Sequence, residues 1–527
     1  MKIKIKFDDT IIKNFYKDFF KKTNGNGNPF EMISKLNLDF YNKFFENMPQ
    51  NMLVYYKVFS EMFMHYLDTA KPGIGKIPDS PDVLPANGHD IYNYVARYGS
   101  GNFHSQAILK LEGRLDLDKL TKAVRLTLDA EPVLGCRFVE GNPPYWKRME
   151  NIDKVKFCSL EEVDDVDAAV QTFLESPLDM DKDTKVKVKL IRSDSYDILG
   201  IKANHACCDG TGIKEYTQLL SDIYSKIDLS EDEFIPVPSK RGRSDQDTLL
   251  KSLGITDPDA LWIPGSDITI PTWAFPWMKG TSNTTRIVTC RLSPDQLDKI
   301  SSYAKSKDAT INDLIITAYC RAMLEMGQPV YGVPMGINVT VDLRRYLPDK
   351  KAEAIRNLSG SSNIWLSMVE NEAFGDTLSR VTFMTNEMKK GYPGMQSAIG
   401  LERLEKISFK DTLAYYQATS KVGKNMPNAP AFYGDRCVPA LSNLGVLSKQ
   451  LIKFGDVSVI DYFIIPPVVS APGILLVAGT YNGTMTMGAG FFENTVLHKD
   501  VERLVNNIKD ELLKGCKNPI DSESHPR

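Results

Sequence analysis

The sequence has few cysteines and histidines, and their spacing excludes several kinds of site. The eight cysteines are scattered, and none has the Cys-x-x-Cys spacing of zinc and redox motifs. Only Cys207 and Cys208 are adjacent. We therefore expect no disulfide framework, and we expect these two to be small buried side chains rather than nucleophiles. The six histidines include no pair four residues apart, so no metal site is predicted and a metal hydrolase is the least favoured activity.

The chain also lacks a long apolar run and an excess of charge of one sign. The N-terminus, Met1-Lys2-Ile3-Lys4, has no apolar segment typical of a signal peptide, and no run approaches the roughly 20 residues of a transmembrane helix. A net charge of −3 gives no general attraction to nucleic acid. With 42% hydrophobic and 25% charged residues, the composition is typical of a soluble globular protein. We therefore expect a cytoplasmic protein that binds no nucleic acid.

The length predicts more than one domain. A chain of 527 residues exceeds the usual size of a single core. We predict a helical N-terminal extension and linker over residues 1–85, an N-terminal lobe over 86–265 and a C-terminal lobe over 266–527. Helices are expected within residues 1–67. We favour packing of these helices on the main body over membrane contact, because a membrane-binding helix would show a cleaner basic face.

A strand followed by a capped helix opens each of the two lobes. In the first lobe, residues 104–111 predict a strand and Asp116 the cap of the next helix. Residues 133–139 predict the returning strand. In the second lobe, residues 285–292 predict a strand, and the capping box Ser293-Pro294-Asp295-Gln296 begins a helix. This repeated order of a strand and a capped helix indicates an α/β (α+β) protein with two similar sheet-and-helix lobes.

Residues 229–283 are rich in proline, have little periodicity and predict a crossover between the lobes. Trp262, Trp273 and Trp277 lie in this segment. Two interpretations of these tryptophans are equally weighted: they line the mouth of a substrate site, or they pin the crossover onto the body.

The segment Asn204-His205-Ala206-Cys207-Cys208-Asp209-Gly210 is the most informative stretch of the chain. An alternating run over residues 185–190 and, after a turn, a returning run over 196–203 predict paired strands, and the apolar spacing after Gly212 predicts a helix. His205 is thus expected where a strand ends and a loop begins, a common place for reactive side chains. A neutral imidazole with an ordinary pKa near 6.5 can take a proton from a hydroxyl or an amine at neutral pH. The alternative is a chance match, expected in roughly a few per cent of proteins of ordinary composition.

His205-Ala206-Cys207-Cys208-Asp209-Gly210 resembles the His-x-x-x-Asp-Gly signature of acyltransferases with the chloramphenicol-acetyltransferase-like fold. That superfamily includes nonribosomal-peptide condensation domains, alcohol acetyltransferases and polyketide-associated acyltransferases. In condensation domains a second histidine normally precedes the first, whereas this chain has Asn204 there. The difference favours a stand-alone alcohol acetyltransferase or polyketide-associated acyltransferase over a peptide-forming domain.

Other segments resemble landmarks of the same superfamily. Residues 338–345 resemble one of these landmarks. Members of the superfamily hold the motif aspartate in a salt bridge to an arginine. Arg344 is the candidate here and Arg137 a weaker one; a solvated surface charge is the alternative for Arg344. Residues 439–445 resemble the second active-site segment, although its Asp-Phe-Gly-Trp-Gly form is absent. Ser442 and Asn443 would direct polar groups to the reacting carbonyl, with turn formation as the alternative.

The resemblance covers roughly residues 90–515 and implies two lobes in a V, with a tunnel between them and His205 midway. It implies transfer of an acyl group from a thioester, on coenzyme A or an acyl carrier protein, to an alcohol or amine. The site would consist of His205 as general base, with Asp209 and Gly210 shaping the loop and Asn204 binding substrate. No permanently bound cofactor is implied, because the acyl thioester is a substrate.

Two alternatives remain from the sequence: a non-catalytic binding or carrier-docking protein, and a peptide-bond-forming condensation domain. The intact His205, Asp209 and Gly210 argue against the first. His104 is a further candidate base, but it has no acidic partner at close spacing. We expect it to be a strand or rim residue.

Overall fold

The structure is a computed structural model of the chain. It describes residues 66, 69–73, 75–98, 101–179, 184–229, 234–239, 245–258, 262, 271–328, 335–367, 369, 371–425 and 436–516. The helices predicted within residues 1–67 lie outside the described residues, apart from Tyr66. The Tyr66 ring stacks on Tyr415 with 4.4 Å between centroids, and its hydroxyl lies 2.7 Å from the Thr412 hydroxyl. Tyr66, near the end of the predicted helices, therefore packs on the main body.

The strands of the described residues follow one another along most of the chain. In chain order they are β1 (Val83–Pro85), β2 (His104–Leu111), β3 (Cys136–Val139), β4 (Tyr145–Arg148), β5 (Cys158–Glu162), β6 (Val186–Arg192), β7 (Asp197–Asn204), β8 (Trp273–Ala274), β9 (Thr285–Leu292), β10 (Met335–Asp342), β11 (Ser359–Leu366), β12 (Arg436–Val446), β13 (Lys453–Phe454), β14 (Val457–Ile465), β15 (Gly473–Tyr481) and β16 (Thr484–Phe492).

Helices connect or flank these strands. They are α1 (Gly88–Ala96), α2 (Leu117–Ala130), α3 (Val166–Glu175), α4 (Gly210–Leu229), α5 (Asp245–Ser252), α6 (Pro294–Ser306), α7 (Ile311–Met326), α8 (Phe374–Lys389), α9 (Met395–Lys406), α10 (Phe409–Asn425) and α11 (His498–Gly515). Short 3₁₀ helices occupy Pro132–Gly135, Ile152–Lys154 and Leu343–Tyr346. Within the described part of the chain, no helix combines the length and apolar character needed to cross a bilayer.

Six strands form the sheet of the N-terminal lobe, in the order β13-β14-β2-β7-β6-β5. β7 is antiparallel to both neighbours, and His104 of β2 lies opposite Asn204 at its end. Successive side chains of a strand point to opposite faces, so alternate residues such as Leu109 and Ile201 enter one core. Residues of α2 and α4 share that core. His205 therefore follows the end of a strand that is paired on both sides and packed against helices.

Seven strands form the sheet of the C-terminal lobe, in the order β11-β10-β12-β15-β16-β9, with β8 beside β12. The pairs β10–β12 and β12–β15 are parallel. One face, including Ile337, Leu441 and Leu476, packs with α7 and α11 in a large hydrophobic core. A third, small sheet has the order β1-β4-β3. The architecture is thus mixed α/β with two sheet-rich lobes, as predicted.

The two large sheets are not built from two separate halves of the chain. β14 pairs antiparallel with β2 and so completes the sheet of the N-terminal lobe. Leu404 of α9 and Phe409 of α10 also pack in the N-terminal core. The lobe boundary predicted at 265/266 therefore does not separate the strands of the two sheets. Apart from β14, the predicted lobe ranges stay a prediction.

Local signals at the start of each lobe are confirmed. The strands predicted over 104–111 and 285–292 are β2 and β9. The Asp116 side chain accepts a hydrogen bond from the backbone N–H of Lys119 and caps α2. Ser293 and Gln296 form a reciprocal capping box at the start of α6, with Pro294 as the first helical residue. Capping depends on residues three positions apart, which is why the sequence predicts it well.

Two predictions from the sequence are wrong in part. The strand predicted over 133–139 begins only at Cys136, because Pro132–Gly135 forms a 3₁₀ turn. Proline suits a first helical position, and the Leu134 N–H donates to the Glu131 carbonyl at 3.0 Å. The crossover predicted over 229–283 also contains α5, whose Leu249 and Leu250 pack in a small hydrophobic cluster.

The tryptophans of the crossover pin it to the body. The Trp273 indole is fully buried and donates to the Gly336 carbonyl at 2.7 Å. The Trp277 indole donates to the Arg436 carbonyl at 2.8 Å. Trp262 lies under a guanidinium and packs against the cluster that contains α5. These contacts favour the pinning interpretation over a substrate mouth.

Candidate functional site

The motif loop joins β7 to α4, and hydrogen bonds hold it from both lobes. The His205 N–H donates to the Phe103 carbonyl at 2.9 Å. The Asn204 side-chain oxygen accepts a hydrogen bond from the Ala206 N–H at 2.9 Å. From the segment before β11, the Asn357 side chain donates to the carbonyls of His205 and Ala206 at 2.7 and 3.1 Å. The position of His205 is therefore set by its own lobe and by the other one.

Phe103, which contacts His205, has an unusual backbone conformation. Its φ of 43° lies in the left-handed region, which is uncommon for a bulky residue. Its ring meets the His205 imidazole edge-on, with 6.2 Å between centroids and an interplanar angle of 66°. Residues held in such conformations are concentrated at functional sites.

Asp209 is buried and all its described contacts are structural. One oxygen accepts from Arg344 Nη1 at 2.9 Å and from the Leu358 N–H at 2.8 Å. The other accepts from the Gly212 N–H at 2.8 Å. Burial alone would raise the pKa of Asp209, but the guanidinium and the two backbone N–H groups outweigh it and lower that pKa. Asp209 is therefore an anion that ties the start of α4 to the C-terminal lobe.

Arg344 is the centre of an ion network between the lobes. Its side chain is only 3% exposed. It pairs with Asp342 at 3.2 Å and with Glu215 of α4 at 3.4 Å, in addition to Asp209. Asp342 in turn accepts from the Thr211 hydroxyl at 2.9 Å. Burial raises the pKa of Glu215 to about 7, although the guanidinium opposes the shift. This is the salt bridge that the resemblance predicted for Arg344, rather than a solvated surface charge.

The His205 imidazole is neutral at physiological pH. Burial lowers its pKa below the ordinary value, while the Asp209 charge acts in the opposite direction. Its Nδ1 has no hydrogen-bond partner among the residues that the structure describes. A neutral ring has one nitrogen free of a proton, so the imidazole can accept one from a bound molecule.

Close approaches favour glycine at two positions of the motif region. A Cβ atom on Gly210 would lie 2.7 Å from a methyl group of Leu444, and one on Gly212 would lie 2.8 Å from the Cβ of Cys208. Lys214 Nζ also donates to the Leu444 carbonyl at 3.1 Å. The second predicted active-site segment therefore packs directly on the motif loop and the first turns of α4.

Within that segment the two predicted polar residues differ. Asn443 accepts from the Gly445 N–H at 3.0 Å and donates to Asn312 at 3.2 Å, which are the contacts of a turn-forming residue. The half-buried Ser442 hydroxyl accepts from the Thr340 hydroxyl at 3.0 Å. Binding of substrate by Ser442, Asn443 and Asn204 stays a prediction.

The remaining candidates from the sequence lie in structural positions. Cys207 and Cys208 are fully buried. The hydrogen bond with Cys207, together with burial, raises the pKa of the Cys208 thiol well above its ordinary value. Arg137 is exposed on β3. His104 is a strand residue as expected, but at 1% exposure it does not lie on a rim.

Two residues of the site were missed from the sequence. Asn357 holds the motif loop from 152 positions away along the chain, and no motif surrounds it. Glu215 belongs to the helical pattern after Gly212, so it resembles any partly exposed helix residue. Neither has a local signal, because each acquires its role only when the lobes meet.

Comparison with known proteins agrees with this architecture. Residues 97–329 match the family model described as Condensation domain, and this span contains the whole motif. No curated relative matches the chain. Three solved structures are similar in fold to this chain. Polyketide synthase associated protein 5 from Mycobacterium tuberculosis has 15% identity and a TM-score of 0.57, covering 84% of this chain and 100% of that one.

The first condensation domain of the CDA synthetase has 13% identity and a TM-score of 0.59, covering 84% of this chain and 98% of that one. TRI3 trichothecene 15-O-acetyltransferase from Fusarium sporotrichioides has 13% identity and a TM-score of 0.63, covering 84% and 97%. Identities this low establish the fold alone. The chain therefore has the fold of the condensation-domain and chloramphenicol-acetyltransferase-like superfamily, and its residues 97–329 match the Condensation domain family.

Proposed function

We propose that the protein is an acyltransferase that moves an acyl group from a thioester to an alcohol or an amine, with His205 as general base. The observation that carries the proposal is a neutral imidazole at the end of β7, on a loop held from both lobes. A base of this kind needs a fixed direction and a proton-free nitrogen at working pH. The family match supports acyl or peptidyl transfer as the general class of reaction.

In the proposed reaction His205 takes the proton of the acceptor's O–H or N–H group. The acceptor oxygen or nitrogen then bonds to the thioester carbonyl carbon. The C–S bond breaks, and the leaving thiol receives the proton from His205. No covalent acyl-enzyme is needed, because proton removal and proximity lower the barrier directly. No metal and no permanently bound cofactor takes part in this scheme.

Asp209 has a positioning role in this proposal. Its two oxygens already accept hydrogen bonds from Arg344 and from two backbone N–H groups. A carboxylate so occupied, with a lowered pKa, is poorly suited to carry a proton in turnover. It instead keeps the loop in the shape that presents His205.

The donor and the location are further parts of the proposal. We expect the acyl group to arrive on coenzyme A or on the phosphopantetheine arm of an acyl carrier protein, which would then be a partner. All eight cysteines are free, as is usual in the reducing cytoplasm. Mass-spectrometric profiling of acyl thioesters of different chain lengths would identify the preferred donor.

The competing proposal is a non-catalytic protein that binds or docks a carrier, and a direct assay separates the two. The purified full chain is incubated with acetyl-coenzyme A and a panel of alcohols and amines, and release of free thiol is followed with time. Acceptor-dependent release of thiol supports acyl transfer. Binding of thioester without any release, for acetyl and longer acyl donors alike, contradicts it.

A further inference from the structure

The second face of the sheet of the N-terminal lobe is apolar around Ile108 and Ile198 but polar at the end beside His205. Ala107 and Leu109 of β2 point into the core that α2 and α4 cover. The residues between them on the strand must point the other way. We call this side the inner face, and it carries His104, Gln106, Lys202 and Asn204. In the register of β2 and β7, His104 lies opposite Asn204, and Gln106 lies opposite Lys202.

Several polar atoms of the inner face are buried and unpaired. His104 and Gln106 are each 1% exposed. Among the described residues, neither ring nitrogen of His104 nor the Gln106 side-chain oxygen has a partner in full hydrogen-bond geometry, although the Asn102 backbone lies near enough to the ring to favour its protonated form. The Gln106 amide nitrogen is used, because it donates to the Leu174 carbonyl at 2.9 Å. Buried polar atoms are nearly always paired, so this group is expected to bind a polar molecule.

His104 lies next to the proposed base through the strand pair. The preceding residue, Phe103, accepts a hydrogen bond from the His205 N–H and contacts its ring. Directly across from His104 is Asn204, at the position where condensation domains carry an additional histidine. Asn204 is occupied, since its side-chain oxygen accepts from the Ala206 N–H. In this chain the His104 imidazole therefore lies on β2, directly across the strand pair from that position.

We propose that His104, with Gln106, binds a hydroxyl group of the acyl acceptor and orients it toward His205. The inference rests on the proposed acyl transfer and names a positioning residue for it. A hydroxyl donates one hydrogen bond and accepts another, and a neutral imidazole offers one of each. The free Gln106 oxygen adds a second acceptor. An acceptor with more than one hydroxyl or amino group would fit: one group reacts at His205 and another binds at His104.

The charge state of His104 suits binding and not proton transfer. Burial, reinforced by the nearby Lys202 ammonium and opposed by the Asn102 backbone, lowers the pKa of His104 to about 3. The imidazole is therefore neutral at any pH where the enzyme would work. The Lys202 ammonium is directed elsewhere, toward the carbonyl and hydroxyl of Ser176. His104 is thus a fixed neutral hydrogen-bonding group beside the base.

The test compares His104→Leu and His104→Gln with the wild type. Ser105→Ala is the matched control, because Ser105 is the next residue of β2 and points to the opposite face. Steady-state acyl transfer is measured with acetyl-coenzyme A against the best acceptor of the alcohol and amine panel. Thermal unfolding is measured without ligand. For His104→Leu we expect the KM for the acceptor to rise about tenfold, as for one lost hydrogen bond, with the KM for acetyl-coenzyme A unchanged. His104→Gln should recover part of the effect, and Ser105→Ala should have none.

The unfolding temperature decides whether His104 is only structural. If its nitrogens have no partner within the protein, replacement by leucine leaves the unfolding temperature equal or higher. A clear fall in unfolding temperature, or an unchanged acceptor KM in an active His104→Leu variant, would overturn the inference and leave acyl transfer standing. A wild type without thiol release on any acceptor would overturn the proposed function and this inference with it.

Discussion

Asp209 and His205 are four residues apart in one loop, yet their surroundings differ in kind. Asp209 is an anion whose two oxygens are bonded to a buried guanidinium and two backbone N–H groups. His205 is a neutral ring with an unpaired Nδ1, and the inner face beside it has further unpaired polar atoms. Satisfied buried groups stabilise a structure, while a buried polar group without a partner destabilises it unless a bound molecule or ion pairs with it. In the proposed mechanism, Asp209 thus stabilises the loop and His205 performs the chemistry.

The largest effect on stability is expected at the ion pair of Asp209 and Arg344. Arg344→Met removes the guanidinium and leaves Asp209 buried without its counter-ion. Breaking one side of a buried ion pair costs about 3–5 kcal/mol, so the free energy of unfolding in urea should fall by that amount. The matched control is Arg345→Met, because Arg345 is the adjacent arginine and is exposed. Equal stability of the two variants would show that the network contributes nothing.

A smaller change at the same place should affect stability and rate together. Asp209→Asn keeps the shape of the side chain but removes its charge, so the free energy of unfolding should fall by about 2 kcal/mol. The rate of acyl transfer should fall with it, because the loop loses its fixed form. Asp222→Asn, an exposed position of the same helix, is the control. A lost rate with wild-type stability would instead assign Asp209 a direct chemical role.

Glu215 sharpens the comparison, since burial raises its pKa whereas the pKa of Asp209 is lowered. Its folded pKa of about 7 exceeds the ordinary 4.5, so the folded state disfavours the charged form. Stability from this group is fully present below pH 4.5 and is lost as pH rises through 7. At pH 8 the free energy of unfolding of Glu215→Gln should therefore exceed that of the wild type by about 1 kcal/mol. This value is reduced because the Glu215 side chain is partly exposed. A variant less stable than the wild type at pH 8 would contradict this.

The smallest expected effect is in the pH profile of acyl transfer. Burial lowers the pKa of His205 below its ordinary value, so the imidazole keeps its neutral form to a lower pH than an ordinary histidine does. An ordinary histidine would lose about three quarters of its neutral form at pH 6. We expect the midpoint of the acidic fall in kcat/KM to lie below pH 6.5. An acidic limb at pH 7 or above would show that His205 is not buried as described.

The sequence predicted what depends on near neighbours. The caps at Asp116 and Ser293 and the strand–loop–helix around His205 rest on residues a few positions apart. Arg344 came from a resemblance, since it meets Asp209 across 135 positions of chain.

Contacts without a local pattern were missed for a physical reason. β14 joins β2 from the far end of the chain, and no sequence periodicity specifies a partner strand. Asn357 and the unpaired atoms of the inner face acquire meaning only when buried. Where polar groups end up without partners depends on the packed structure, and the composition of a segment does not reveal it.

The most direct measurement is acyl transfer by His205→Ala, compared with the wild type at saturating acetyl-coenzyme A and together with thermal unfolding. If His205 is the base, the rate falls on the order of a hundredfold or more while the unfolding temperature stays close to that of the wild type. Near wild-type transfer by a folded His205→Ala variant would contradict the proposed mechanism.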